Sequence, residues 1–250
     1  MKRIESVKNT QVKHWKKLQT KKERELSKTF IIEGFHLVEE ALKTKDIVRE
    51  IIISESVTIP STLKVDNVNM TIVTDEVMKF ISETENSQGI AAVCEQFQHT
   101  NTRFSKLLLV DAVQDPGNLG TMIRTADAAG LDAVIVGEGC VDVYNSKVVR
   151  STQGAIFHLP IIKANLEEWI MSLQEEKIDI YGTALDDRAV YYKEVTAKQS
   201  FALLVGNEGS GVNPILLNRT TKNLYIPIHG KSESLNVAVA TGILLYHLQN

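Results

Sequence analysis

From Leu107 onward, short apolar runs alternate with segments of helical period, and this alternation is the strongest constraint on how the chain can fold. Residues 107–110, 133–136, 156–162, 178–183, 201–205 and 224–226 read as strands. Between them fall helix patterns at 120–129, closed by Gly130 as a C′ residue, and at 146–152. A third helix at 166–176 places Leu166, Trp169, Ile170 and Leu173 at i, i+3, i+4 and i+7, and a last one runs from 235 to 248. Strands alternating with helices predict an α/β domain with a mostly parallel sheet. Residues 118–125, 204–209 and 226–236 lie where strand patterns end, and each combines glycine or proline with polar side chains. Three such exits in one domain predict a single composite pocket built from loops that meet in space.

The first half is less regular. Residues 30–32 read as a strand, and 34–42 as a helix with Phe35, Val38, Ala41 and Leu42 on one face. Strands follow at 51–53 and within 65–73, around Met70, Ile72 and Val73. A short helix at 75–80 is capped by Thr74, and 90–94 closes this half as a strand. Residues 96–103 are polar and aperiodic, as a linker would be. The expected organisation is a smaller α/β domain at 1–97, a linker at 98–105 and a larger domain at 106–250.

The formal net charge of −3 conceals an asymmetry. Residues 1–28 carry ten basic side chains against three acidic ones, a local balance of +7 that leaves −10 on the rest. A basic arm on an acidic body is a plausible footprint for a polyanion, and a solvated helix face is the plain alternative. His14 and Trp15 could stack on bases there, although a tryptophan is more often packed. No apolar run approaches the roughly 18 residues of a membrane span. The start has no apolar h-region behind its basic residues, so no signal peptide is expected. Cys94 and Cys140 lack metal-type spacing and read as two thiols in a reducing cytoplasm.

Two nucleotide motifs fail. Gly230-Lys231-Ser232 follows a strand as a Walker lysine should, but the glycine required five positions before Gly230 is Tyr225. Gly137-Glu138-Gly139 follows a strand too, yet the third position of the dinucleotide fingerprint is Asp142. Residues 206–211 are glycine-rich with the wrong spacing, and Glu208 stands where a pyrophosphate would sit. A carboxylate there fits a neutral or cationic ligand.

Asn118-x-Gly120-x-x-x-Arg124-Thr125, Gly206-Asn207-Glu208-Gly209, and Ile226-Pro227-Ile228 running to Ser234-Leu235-Asn236-Val237-Ala238 resemble, in order, the three motifs of the SpoU (TrmH) family. These are RNA ribose 2′-O-methyltransferases of the trefoil-knotted type. The resemblance covers about residues 106–250. Phe30-Ile31-Ile32-Glu33-Gly34 and the helix after it, with Glu39 and Glu40, resemble the family's L30e-like RNA-binding extension. Family members often read Asn-Pro-Gly-Asn before the first motif, where this chain has Asp115-Pro116-Gly117-Asn118.

The resemblance implies a knotted, mostly parallel sheet preceded by a smaller L30e-like α/β domain. It implies S-adenosylmethionine as cofactor and no metal, since the sulfonium methyl is already electrophilic. Thr183, Ala184, Leu204, Gly206, Asn207, Gly209, Ile226, Pro227, Ile228, Leu235 and Asn236 would hold the cofactor, with Ile226 and Leu235 sandwiching its adenine. Arg124 would be the base or activating residue, with Asn118, Glu208, Ser234 and Asn236 positioning substrate and cofactor. Because arginine is effectively always protonated, Arg124 could instead stabilise the developing alkoxide. His158 and His229 stand outside the motifs and read as structural. Lys8, Lys13, Lys16 and Lys17, with Arg124, are the candidate RNA contacts. A homodimer with Val239, Ile243 and Tyr246 of the last helix at its interface is implied, as is a cytoplasmic enzyme acting on RNA. The L30e-like domain favours 23S ribosomal RNA, with a transfer RNA substrate or a non-catalytic RNA-binding protein as alternatives.

Overall fold

The structure, a computed structural model, describes residues 2–65, 68–97, 103–186, 188–196 and 198–249. The chain divides into two compact units, Met1–Gln98 with Asp142–Phe157, and His99–Val141 with His158–Asn250.

The first unit opens with strand β1 (Lys2–Ile4) and helices α1 (Thr10–Lys17) and α2 (Lys21–Ser27). Strand β2 (Thr29–Glu33), helix α3 (Phe35–Lys43), strands β3 (Val48–Ser54) and β4 (Asn69–Val73), helix α4 (Asp75–Ile81) and strand β5 (Ile90–Glu95) follow. The sheet order is β1-β4-β3-β5-β2; β1, β4 and β3 run parallel, and β5 is antiparallel to both β3 and β2. The basic segment read as an arm is therefore part of the fold. Asn9 caps α1 by accepting from the Gln11 amide, and α1 buries Val12 and Trp15 on the sheet. Trp15 is 1% exposed and its Nε1 donates to Glu50 at 3.2 Å. The face of α1 turned inward is apolar, and only its outward face is basic.

The second unit holds β6 (Lys106–Val110), α5 (Pro116–Ala128) and β7 (Ala133–Val136). The chain then passes through α6 (Ser146–Thr152) and a 3₁₀ turn at Ala155–Phe157, both within the segment that packs with the first unit. It returns as β8 (Ile161–Lys163), α7 (Leu166–Glu175), β9 (Asp179–Thr183), β10 (Val190–Tyr191), β11 (Phe201–Val205), α8 (Pro214–Leu217), β12 (Lys222–Tyr225) and α9 (Val237–Gln249). The seven strands lie in the order β10-β12-β9-β11-β6-β7-β8, and every pairing is parallel. Strands β7 and β11 are buried along their whole length, as expected when helices cover both faces of a parallel sheet.

Several expectations shift. The strand read at 156–162 begins only at Ile161; Ala155, Ile156 and Phe157 are buried in the 3₁₀ turn instead. Helix α5 starts four residues before Gly120, because Asp115 caps it by accepting from the Asn118 amide at 2.8 Å and Pro116 supplies the preset φ of a first turn. Strand β12 ends at Tyr225, so Ile226 belongs to the loop beyond it. Residues 98–102 of the expected linker lie outside the described residues. Of the remainder, Phe104 enters the second core, where its ring stacks on Trp169 at 6.3 Å. Cys94 is buried, and burial pushes the Cys140 thiol up to about 11, which makes it a poor nucleophile. Among the described residues no helix is long and apolar enough to cross a membrane.

Candidate active site

The carboxyl ends of β9, β11 and β12 open on one side of the second sheet, where ligands collect in parallel α/β folds. A cavity of about 650 Å³ lies there. Of the residues expected to form a site, Thr183, Ala184, Gly206, Asn207, Glu208, Gly209, Ile226, Ile228, Ser234, Leu235 and Asn236 line it. Two of the expected cofactor residues do not. Leu204 is fully buried inside β11 and offers only its carbonyl, which accepts from Thr183 Oγ1 at 3.2 Å. Pro227 is not part of the lining and shapes the loop between Ile226 and Ile228.

Gly206 is the tightest point of this wall. A Cβ there would lie 2.3 Å from the backbone of Gly211 and Val212, so no other residue fits without moving the main chain. The close approach is stitched by paired amide-to-carbonyl bonds between Asn207 and Gly211, at 2.9 and 3.0 Å. Asn207 then fixes the loop from both ends. Its Nδ2 donates to Ala112 O at 2.8 Å, while its Oδ1 accepts from the amides of Gly209 and Ser210.

Glu208 gathers the three motifs. Its carboxylate accepts from the amides of Gln114 and Asp115 at 3.2 and 3.1 Å and from Asn118 Nδ2 at 3.0 Å. Asn236 Nδ2 in turn donates to Asn118 Oδ1 at 2.9 Å, and Asn236 Oδ1 accepts from the amides of Ala238 and Val239 at the start of α9. Residues 90 and 118 positions apart in sequence thus share one hydrogen-bonded chain. Partial burial works against the Glu208 charge, but the bonds from Asn118 and from the Glu208, Asp115 and Gln114 amides outweigh it and hold its pKa below the ordinary carboxylate value. The amino end of α5 is a natural anion site, and here the chain fills it with its own carboxylate.

The remaining chemistry of the lining favours a cation with an apolar body. Glu208 and Glu233 are its charged side chains, and no lysine, arginine or histidine lines it among the described residues. Ile226, Ile228, Leu235 and Leu244 supply apolar walls. Glu233, Tyr225, Ser210, Ala240 and Leu244 escaped the sequence reading. Ser210 and Glu233 adjoin motif residues and could have been found by extending the motifs. Ala240 and Leu244 lie on the inward side of α9, which only packing reveals.

Asn118 and Arg124 do not line the cavity, although Asn118 bonds to two residues that do. Arg124 lies exposed on α5 with no hydrogen-bond or ion-pair partner among the described residues. His158, set aside as structural, is bound to Asp127 at 3.1 Å. In the first unit, Lys13 and Lys17 are exposed on α1, Lys16 is half-buried on it, and Lys8 is exposed just before it. No group of three or more histidine, cysteine, aspartate or glutamate side chains that could hold a metal ion occurs among the described residues.

Comparison with known proteins divides the chain in sequence, with residues 142–157 falling in the second match. Residues 9–92 match the MRM3-like substrate binding domain, and residues 105–246 match the SpoU rRNA Methylase family. The chain is 53% identical over 249 residues to the 23S rRNA (guanosine(2553)-2′-O)-methyltransferase RlmP of Bacillus subtilis (strain 168), with 100% of both chains covered. An AdoMet-bound rRNA methyltransferase from Sinorhizobium meliloti superposes with a TM-score of 0.89 at 30% identity, over 99% of this chain and 97% of that one. A putative RNA methyltransferase of the TrmH family from Porphyromonas gingivalis gives 0.85 at 30% identity, over 97% and 98%. By its matched domain, its full-length relative and its architecture, the chain belongs to the SpoU rRNA methylase family.

Proposed function

We propose that this protein transfers the methyl group of S-adenosylmethionine to a ribose 2′-hydroxyl of 23S ribosomal RNA, and that the guanosine named for the Bacillus subtilis relative, 2553, is its target. The observation that carries this reading is the Glu208–Asn118–Asn236 chain, which draws three distant segments to the mouth of one cavity. That cavity is of the size small-molecule sites have, and its carboxylates and apolar walls suit a sulfonium joined to an adenosine.

The bound cofactor supplies an electrophilic methyl, and the protein supplies position and charge. Ile226 and Leu235 would flank the adenine of the cofactor, and main-chain amides of the 206–211 and 226–236 loops would read its polar edge. Ser234 and Asn236 align the ribose, which places the attacking oxygen in line. Arg124 keeps its proton and stabilises the negative charge that develops on the 2′-oxygen as it attacks; the hydroxyl proton passes to solvent water, and the C–S bond of the sulfonium breaks to leave the neutral thioether S-adenosylhomocysteine. Because Arg124 stands outside the cavity lining of its own chain, it serves a site completed by a second copy. The exposed Val239 and Tyr246 of α9, at 53% and 52%, provide the apolar surface for that homodimer. The first unit binds the RNA through Lys8, Lys13, Lys16 and Lys17, and the enzyme works in the cytoplasm.

The test has two arms. Purified protein with radiolabelled S-adenosylmethionine should label an unmodified 23S rRNA transcript, and rRNA from cells lacking the protein should lose one 2′-O-methyl mark. Labelling of transfer RNA in preference to 23S rRNA, or no labelling of either, refutes the reading.

A further inference from the structure

The aromatic side chains that the sequence offers for base stacking in the basic segment are both committed. Trp15 is buried and bonded to Glu50, and His14 Nδ1 pairs with Glu23 at 3.0 Å. A different ring takes their place beside the lysines. Helix α4 buries Val77, Met78 and Ile81, which turns Phe80 outward at 39% exposure. Lys16 Nζ lies 5.6 Å from the centre of the Phe80 ring. Gln19 Nε2, just beyond α1, donates to Ile81 O at 2.7 Å and so ties that end of α1 to the end of α4.

The lysines of α1, of which Lys16 meets the ring, carry no ion pairs among the described residues. Lys13, Lys16 and Lys17 recur at i, i+3 and i+4 on that helix. Of the carboxylates on α2, Glu23 pairs with His14 and Glu25 with Lys21 at 3.8 Å. Arg24 is buried against Asp142 at 2.6 Å. An exposed aromatic face bordered by unpaired cations is what binds a single-stranded nucleotide: the base stacks on the ring while the cations meet its phosphates. RNA duplexes hide their base faces, so the occupant has to be an unpaired base.

We propose that Phe80 is a stacking platform for one unpaired base of the RNA substrate, flanked by Lys13, Lys16 and Lys17 on the phosphates. This rests on the reading that the protein methylates RNA. The full-length protein is assayed for methyl transfer to an unmodified 23S rRNA transcript, and for retention of that transcript on filters, as wild type and as Phe80→Ala, Phe80→Leu and Phe80→Trp. Loss of one stacked base in Phe80→Ala raises KM for RNA by about tenfold and weakens filter retention to match. Affinity for S-adenosylmethionine stays as in wild type. Phe80→Trp restores KM, whereas Phe80→Leu, equally apolar but without a π face, does not. Unchanged KM in Phe80→Ala, or equal rescue by Leu and Trp, overturns the proposal while leaving the enzyme assignment standing. A change in sedimentation with KM unchanged assigns the ring to a protein contact and also overturns it. Absence of transfer by the wild type removes the reading beneath it.

Discussion

Each unit carries a large cavity, about 650 Å³ in the second and about 600 Å³ in the first, and each has a glutamate at the centre of a hydrogen-bond network. In the first, Glu50 accepts from Gln11 at 2.9 Å, from Trp15 at 3.2 Å and from Thr71 at 2.6 Å, all of them side chains. Its neighbours Lys2 and Arg49 are bonded to Gln11 and Glu95. The polar groups there satisfy one another across a sheet and a helix. In the second, Glu208 accepts from backbone amides of a loop and a helix start, while the amides and apolar side chains beyond it face open space. Size does not separate the two cavities. What separates them is that one network holds a core together and the other ties loops together at the mouth of an open space.

The sharpest way to break this comparison is at the first network. Trp15→Ala should cost about 3–5 kcal/mol, read as a lower urea midpoint, because a fully buried indole leaves a void. Calorimetric affinity for S-adenosylmethionine should persist below the transition, and its loss would show that the two networks are not separate. Next is Arg124→Ala, which should lower kcat about 10²–10³-fold in single-turnover transfer with cofactor affinity nearly intact. Normal transfer by that variant would remove Arg124 from the chemistry. Thr71→Val deletes one bond to Glu50 and should cost about 1 kcal/mol with no change in transfer rate.

The smallest effect is a pH dependence at Glu208. Its folded pKa is held below the ordinary value of 4.5, so its stabilising contribution is complete above that value and is lost as pH falls through the depressed one. Urea midpoints of the wild type should therefore decline between about pH 5 and pH 3 more steeply than those of Glu208→Gln. Parallel declines would mean that the amides around Glu208 do not favour its charge.

Much of the chain from residue 106 onward was legible because a parallel sheet writes itself as uninterrupted apolar runs. The strands at 133–136 and 201–205 and the helix at 146–152 fall where the sequence puts them. The first 28 residues were not legible in this way. Strand β1 has three residues and exists because β4 offers a parallel edge, and α1 carries too few apolar positions for its period to stand out. The run at 156–162 misled for the opposite reason, since burial in a tight turn needs the same apolar residues as burial in a strand.

The sequence by itself determined the alternating architecture, the absence of a phosphate cradle and the family motifs, because periodicity, glycine and spacing are local properties. It also named most of the cavity lining, because those residues sit within the motifs. Only the tertiary structure decided that Glu208 binds the amides just ahead of α5, that Leu204 is core, that Trp15 is closed to a base, and that Phe80 stands beside Lys16. Each of these depends on which segment lies across from a side chain, and that partner comes from elsewhere in the chain.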